Sequence, residues 1–243
     1  MAELTSGPMR GGYAPTLVAV AHGTRRPGGP ETVRALLERV RRLRPWLNVV
    51  EAYAEISEPV LEEAVAGLDG PVVAVPLLLA RGYHALVDIP GRLERVHPHA
   101  VTARPLGPHA LLTATLADHL GPLRSSDAVV LGAAGSSDPA GVADVRTAAR
   151  LLARRLRRPV PYGFVAAEGP RLAEVVAERR RRGAPRVKVA SYLLAPGLFH
   201  ERMLEAGADA VTPPLGAHDA LARLVLRRFD EAWLRHAAAI PAA

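Results

Sequence analysis

Cysteine is absent from the 243 residues, and that absence closes several chemistries at once. Disulfides, thiolate metal sites, iron–sulfur clusters and Cys nucleophiles are excluded together, so any metal here is held by nitrogen and oxygen. Aromatic residues are scarce at 4%, while 49% of the chain is hydrophobic, so Ala, Val and Leu must fill the interior. The opening stretch MAELTSGPMRGGYAP has no continuous apolar h-region, and no apolar run approaches the roughly 20 residues that span a bilayer. The expectation is a soluble, cytoplasmic protein with no membrane partner. Nucleotide fingerprints are missing as well. HGTRRPGGP has the glycines of a phosphate-cradling loop, but neither GxGxxG nor GxxxxGK[ST] occurs. No GxSxG elbow follows a strand, which argues against serine hydrolysis.

Acidic residues are outnumbered: 24 Asp and Glu against 31 Lys and Arg give a formal charge of +7. Arg39, Arg41, Arg42 and Arg44 fall at the end of one predicted helix. Arg154, Arg155, Arg157 and Arg158, and the run 179–182, end two others. There they complement the helix dipole and face water. Without aromatic stacking partners or a nucleic-acid motif, no nucleic-acid partner is expected. A small polyanionic ligand remains compatible with the charge.

What the chain does contain is the same pattern written twice. The first copy runs TLVAVAHGT, AYAEISEP, GPVVAVPLLLARGYH and RPLGPHALL; the second runs AVVLGAAGS, GFVAAEGP, APRVKVASYLLAPGLFH and PPLGAHDAL. Two halves of a common domain size follow, residues 14–121 and 127–238 joined by a linker at 121–127, each able to bury its own core. His22 aligns with Ala134, and His84 with His200. Glu55, counted back from Pro59 and Pro170, aligns with Ala166. A scaffold that keeps His, Glu and His in one copy but Ala, Ala and His in the other predicts one working site and one supporting half.

Within the first half, residues 17–21 read as a strand, 31–44 as a helix with Val33, Leu36, Leu37, Val40 and Leu43 on one face, and 49–53 as a second strand. A helix opened by Ser57, Glu58 and Pro59 follows, then an apolar run at 72–79, a helix at 87–96, a short strand near Val101 and a helix at 111–120. Alternating elements with near-continuous Val and Leu strands predict a parallel sheet covered on both faces. In such folds chemistry sits beyond the carboxyl ends of the strands. His22, Glu55 and His84 follow three successive strands, so one sheet edge collects all three. Imidazole and carboxylate suit a borderline divalent metal, and neutral imidazole also accepts protons. His109 and His218 hold matching PLGxH positions in both halves and are expected to cap the last helices. Ser136, Ser137 and Asp138 read as N-cap groups.

The ordered set AHGTRRPGG, AYAEISEP and VPLLLARGYHALVDIP resembles the sirohydrochlorin and cobalt chelatase family in its long, two-copy form. That resemblance implies two similar chelatase-like α/β domains, each a parallel sheet flanked by helices, facing one another across a cleft. It implies insertion of Fe2+ or Co2+ into sirohydrochlorin, a polycarboxylate tetrapyrrole, for sirohaem or cobalamin synthesis. The metal is then a substrate, and no cofactor is permanently bound. The family's metal-handling histidines fall on His22 and His84, and its acidic partner on Glu55. Residue chemistry agrees, because two or three N/O ligands leave positions open for pyrrole nitrogens where a closed four-ligand site would trap the ion. Arg25, Arg26 and Arg81 flank the histidines and suit bidentate pairing with substrate carboxylates. Gly23, Gly28, Gly29 and Gly82 let backbone approach a flat ligand. The competing class is a non-catalytic carrier of metal or tetrapyrrole. Iron, cobalt and nickel are not distinguished, nor is a monomer from a homo-oligomer, and the role of His200 stays open.

Overall fold

The computed structural model describes residues 14–239, so the amino-terminal stretch read for a leader lies outside it except for its last two residues. The first half contains β1 (Thr16–Ala21), α1 (Gly28–Leu43), β2 (Val49–Tyr53), α2 (Leu61–Val65) and β3 (Val72–Pro76). A single π-helical turn, His84–Asp88, then runs into α3 (Ile89–Val96), followed by β4 (Val101–Thr102) and α4 (Ala110–Leu120). The second half repeats the order with β5 (Asp127–Ala133), α5 (Pro139–Leu156), β6 (Tyr162–Phe164) and α6 (Leu172–Arg181). It closes with β7 (Arg186–Tyr192), α7 (Leu198–Leu204), β8 (Ala210–Val211) and α8 (Asp219–Ala239). Two all-parallel sheets result, ordered β2-β1-β3-β4 and β6-β5-β7-β8.

Because β1 is central and covered on both faces, every residue of TLVAVA is buried. The strand period of two splits that run. Leu17, Ala19 and Ala21 face one apolar cluster, and Val18 and Val20 face another. In β5, Val129, Leu131 and Ala133 face inward while Val130 faces out. The outer clusters are private to each half, but the inner cluster is common to both, running from Leu17 and Leu36 to Leu131, Ala148 and Phe229. The expectation that each half buries its own core is therefore corrected. The helices explain why: α4 packs on β7 and α5 of the second half, and α8 packs on β3 and α1 of the first. Each half's last helix covers the other half's sheet.

Arginines stitch this seam. Arg39 pairs with Asp219 and Arg44 with both oxygens of Asp230, so these two are anchored to α8 and are not the solvated helix end that sequence suggested. The buried Arg228 donates to the carbonyls of Pro105 and Leu106. Glu231 gathers Arg104, Arg227 and Arg228. Burial pushes the Glu231 carboxyl up, but hydrogen bonds from these three guanidiniums outweigh it and bring it down to about 2.

His109 caps α4 by accepting from Leu111 N at 3.1 Å, and His218 caps α8 by accepting from Ala220 N at 3.1 Å, as the paired PLGxH motifs predict. Burial, followed by the charges of Arg228 and Arg227, pushes the His109 imidazole down and keeps it the neutral acceptor a cap requires. Asp138 likewise caps α5, accepting from Ala140 N at 2.8 Å. Helix α1 begins three residues before the expected start. Gly28 and Gly29 belong to its first turn, and a Cβ at Gly29 would lie 2.0 Å from Thr24 Cγ2. Among the described residues no helix is long and apolar enough to cross a membrane.

Candidate metal centre

Three loops at the carboxyl edge of the first sheet supply the centre. His22 leaves β1, and its carbonyl accepts from Glu55 N at 2.9 Å, locking together the loops that follow β1 and β2. Gly23 makes this approach possible. Its φ is +97°, and a Cβ there would sit 1.7 Å from the Glu55 carbonyl oxygen, so the space foreseen for a ligand is filled by protein backbone. Ser57 adds a second tie, accepting from Thr24 N at 3.0 Å and donating to Thr24 O at 3.1 Å. Residues 55–57 form a tight turn before α2 starts at Leu61, and Ile56 stands in the left-handed region at φ +66°.

His84 arrives from the third loop. Its ring lies 4.6 Å from that of His22, edge to face, and its Nε2 is 3.9 Å from Glu55 Oε1. One ligand atom from each of His22, Glu55 and His84 lies within 4.8 Å of the others. That spread exceeds the edge of about 3 Å expected for bonds of about 2.1 Å, so holding one ion would require the three atoms to close inward. His22 and Glu55 are exposed and His84 is half-buried, which leaves the open side to a substrate. Among the described residues no other group of His, Asp and Glu meets in this way.

A support that sequence reasoning missed stands behind His84. Its Nδ1 is 3.0 Å from Asp88 Oδ2, one π-turn along. A carboxylate only accepts, so Nδ1 donates to Asp88 and Nε2 is the ring nitrogen on the Glu55 side. Arg92 lies 3.7 Å from Asp88, pairs with Glu62 and donates to the Ala54 carbonyl beside Glu55. A single guanidinium thus braces two ligand arms. Its hydrogen bonds hold the Glu62 carboxyl below the usual range, against a smaller upward push from burial. The repeat contained the signal: Asp88, Arg92 and Glu62 align with Leu204, Ala208 and Ala173.

The remaining predicted residues are distributed around this core. Arg25 is exposed beside His22 and has no carboxylate partner among the described residues. Arg26 pairs with Glu201 of α7 at 2.9 Å on the surface. Arg81 commits Nε and Nη2 to Asp144 of α5, a buried carboxylate, leaving Nη1 unpaired among the described bonds. Gly82 faces Ser136 of the second half, 3.8 Å from its would-be Cβ. His200 does not join a centre: its Nε2 lies 3.1 Å from the Thr212 carbonyl, which only accepts, so the ring is a structural donor.

A family model described as CbiX matches residues 16–122 and again 128–232. The chain belongs to the CbiX family. The two matches coincide with the two sheets. A CbiX relative named sirohydrochlorin ferrochelatase, from Priestia megaterium, is 26% identical over 235 residues, covering 88% of each chain. A sirohydrochlorin cobaltochelatase of Methanosarcina acetivorans is 37% identical over 82 residues, 32% of this chain and 63% of that one. Among solved structures, SirB from Bacillus subtilis with Fe3+ superposes with a TM-score of 0.77 at 25% identity, covering 90% of this chain and 96% of that one. The cobalt complex of SirB from Bacillus subtilis subspecies spizizenii shares the fold, with a TM-score of 0.73 at 23% identity and coverage of 90% and 95%.

Proposed function

We propose that this chain is a sirohydrochlorin chelatase that inserts a divalent metal, Fe2+ in preference to Co2+, into its tetrapyrrole substrate without a nucleic-acid or membrane partner. The observation that carries the reading is the convergence of His22, Glu55 and His84 on one exposed sheet edge of a CbiX-family chain. Insertion exchanges two pyrrole protons for one M2+. It therefore needs weak ligands that shed water from the ion and release it, and bases that take the protons.

His84, fixed by Asp88, presents a lone pair to the ion. His22 and Glu55 complete three of its positions and leave the others open to pyrrole nitrogens. As the ion passes to the macrocycle, the freed imidazole and carboxylate become the proton acceptors. In this reading Arg25 meets substrate carboxylates, with Arg26 after exchange from Glu201 and Arg81 through Nη1. Anaerobic spectrophotometry with sirohydrochlorin and Fe2+, Co2+ or Ni2+ tests the reading. Many product equivalents per chain are expected; a stoichiometric, non-turning-over complex would identify a carrier instead.

A further inference from the structure

The second half has lost the ligands, yet it grips the loop that delivers His84. After β3 the chain leaves the sheet at Leu77 and runs over the second half before reaching the π-turn. Two buried side chains hold it there. Tyr192, at the end of β7, donates its hydroxyl to the Leu79 carbonyl at 2.9 Å. Asp144, on the buried face of α5, accepts from Arg81 N at 2.8 Å and from the Arg81 guanidinium through Nε and Nη2. The carboxylate side chain is only 5% exposed while Arg81 is 47% exposed, so the acid is part of the fold and the loop comes to it.

Two glycines shape this clasp. A Cβ at Gly107 would lie 2.0 Å from Leu79 O and 2.4 Å from the Tyr192 hydroxyl oxygen. One at Gly141 would lie 2.6 Å from Arg81 O. The mirror loop at 195–197 has no comparable tie among the described hydrogen bonds, because Pro76 stands where Tyr192 does and Thr32, which bonds the Gly28 carbonyl, where Asp144 does. Among the described residues the clasp therefore exists only on the loop that carries His84.

We infer that Asp144 and Tyr192 are positioning residues of the metal centre, fixing the backbone at Leu79 and Arg81 so that His84 stands against His22 and Glu55. This rests on the reading of those three residues as the metal-holding group. It also gives the degenerate half a mechanistic role, as the anvil against which the third arm of the site is set. Outer supports of metal ligands typically contribute 10–100-fold in affinity.

The test is Co2+ titration of the intact chain, followed by the visible d–d absorption of the bound ion. It is run on the wild type, Asp144→Asn and Tyr192→Phe, each with and without His84→Ala. Both single variants are expected to weaken Co2+ binding by about tenfold and to alter the band. In the His84→Ala background neither should weaken it further, a dependence that a general loss of stability would not produce. Tyr192→Phe removes one hydroxyl and decides the matter if Asp144→Asn does not fold. Wild-type affinity and spectrum in the variants overturn the inference, as does an equal loss with His84 already gone. If His84→Ala leaves wild-type Co2+ binding untouched, the reading of the centre fails first and takes this inference with it.

Discussion

The two sheet edges share a backbone and differ in nearly everything built on it. Glu55 N donates to His22 O at 2.9 Å in one half, and Ala166 N donates to Ala134 O at 2.9 Å in the other. Gly23 and Gly135 both take positive φ, at +97° and +115°. On this common frame the first half mounts His22, Glu55 and His84 with Asp88, Arg92 and Glu62 behind them. The second carries Ala134, Ala166, Leu204, Ala208 and Ala173, and turns its one retained histidine onto Thr212. The difference teaches that the centre is two layers deep. The half without His22 and Glu55 also lacks Asp88, Arg92 and Glu62, so the candidate centre and its supports occur in the same copy.

Removing ligands at matched positions is the sharpest way to break this comparison. His84→Ala should lower metal insertion at least about a hundredfold, since it removes a ligand and a proton acceptor together. His200→Ala should leave turnover nearly unchanged and cost about 1 kcal/mol of stability through the lost Thr212 bond. Steady-state rates and denaturant midpoints for the pair check this, and equal losses of turnover would show that the halves share the chemistry. A smaller effect is expected from grafting. Ala134→His with Ala166→Glu restores the ligand types but not the supports, with His200 still bonded to Thr212. Metal titration should therefore still show one tight site per chain. Two sites of equal affinity would show that the ligands alone make the centre.

The convergence of His22, Glu55 and His84 was legible because strand ends are legible: apolar runs followed by His or Glu, repeated at one strand–helix–loop interval, place residues on one edge without knowledge of packing. The helix-capping role of His109 and His218 was readable for the same reason, since a motif kept in both copies points to a need common to both. The exchange of α4 and α8 was not. Sequence periodicity says that a helix has an apolar face and nothing about which sheet it covers, so Arg39 and Arg44 looked like a solvated helix end when Asp219 and Asp230 were waiting across the seam. The structural half of Arg81's role was hidden in the same way. Its partner Asp144 is distant in the chain, and an Arg beside a candidate ligand reads equally as a substrate contact. Asp88 follows His84 by four residues, the spacing at which helical side chains meet.

The finest distinction between the halves lies in one backbone torsion. Ile56 follows Glu55 with φ +66°, whereas its counterpart Ala167 is not among the described non-glycine residues of positive φ. A β-branched residue in the left-handed region costs about 1–3 kcal/mol, and such strain gathers at functional turns. Glycine removes the strain but restores about 0.5–1 kcal/mol of unfolded-state freedom. The Ile56 side chain is 55% exposed, so little burial is lost with it. Ile56→Gly should therefore stabilise the chain by up to about 2 kcal/mol, while Ala167→Gly destabilises it by about 0.4–1 kcal/mol. The turn that aims Glu55 should loosen at the same time, so the insertion rate of Ile56→Gly should fall as its stability rises. Urea midpoints read the first effect and turnover the second. If both substitutions destabilise alike, the strain is not stored at Ile56.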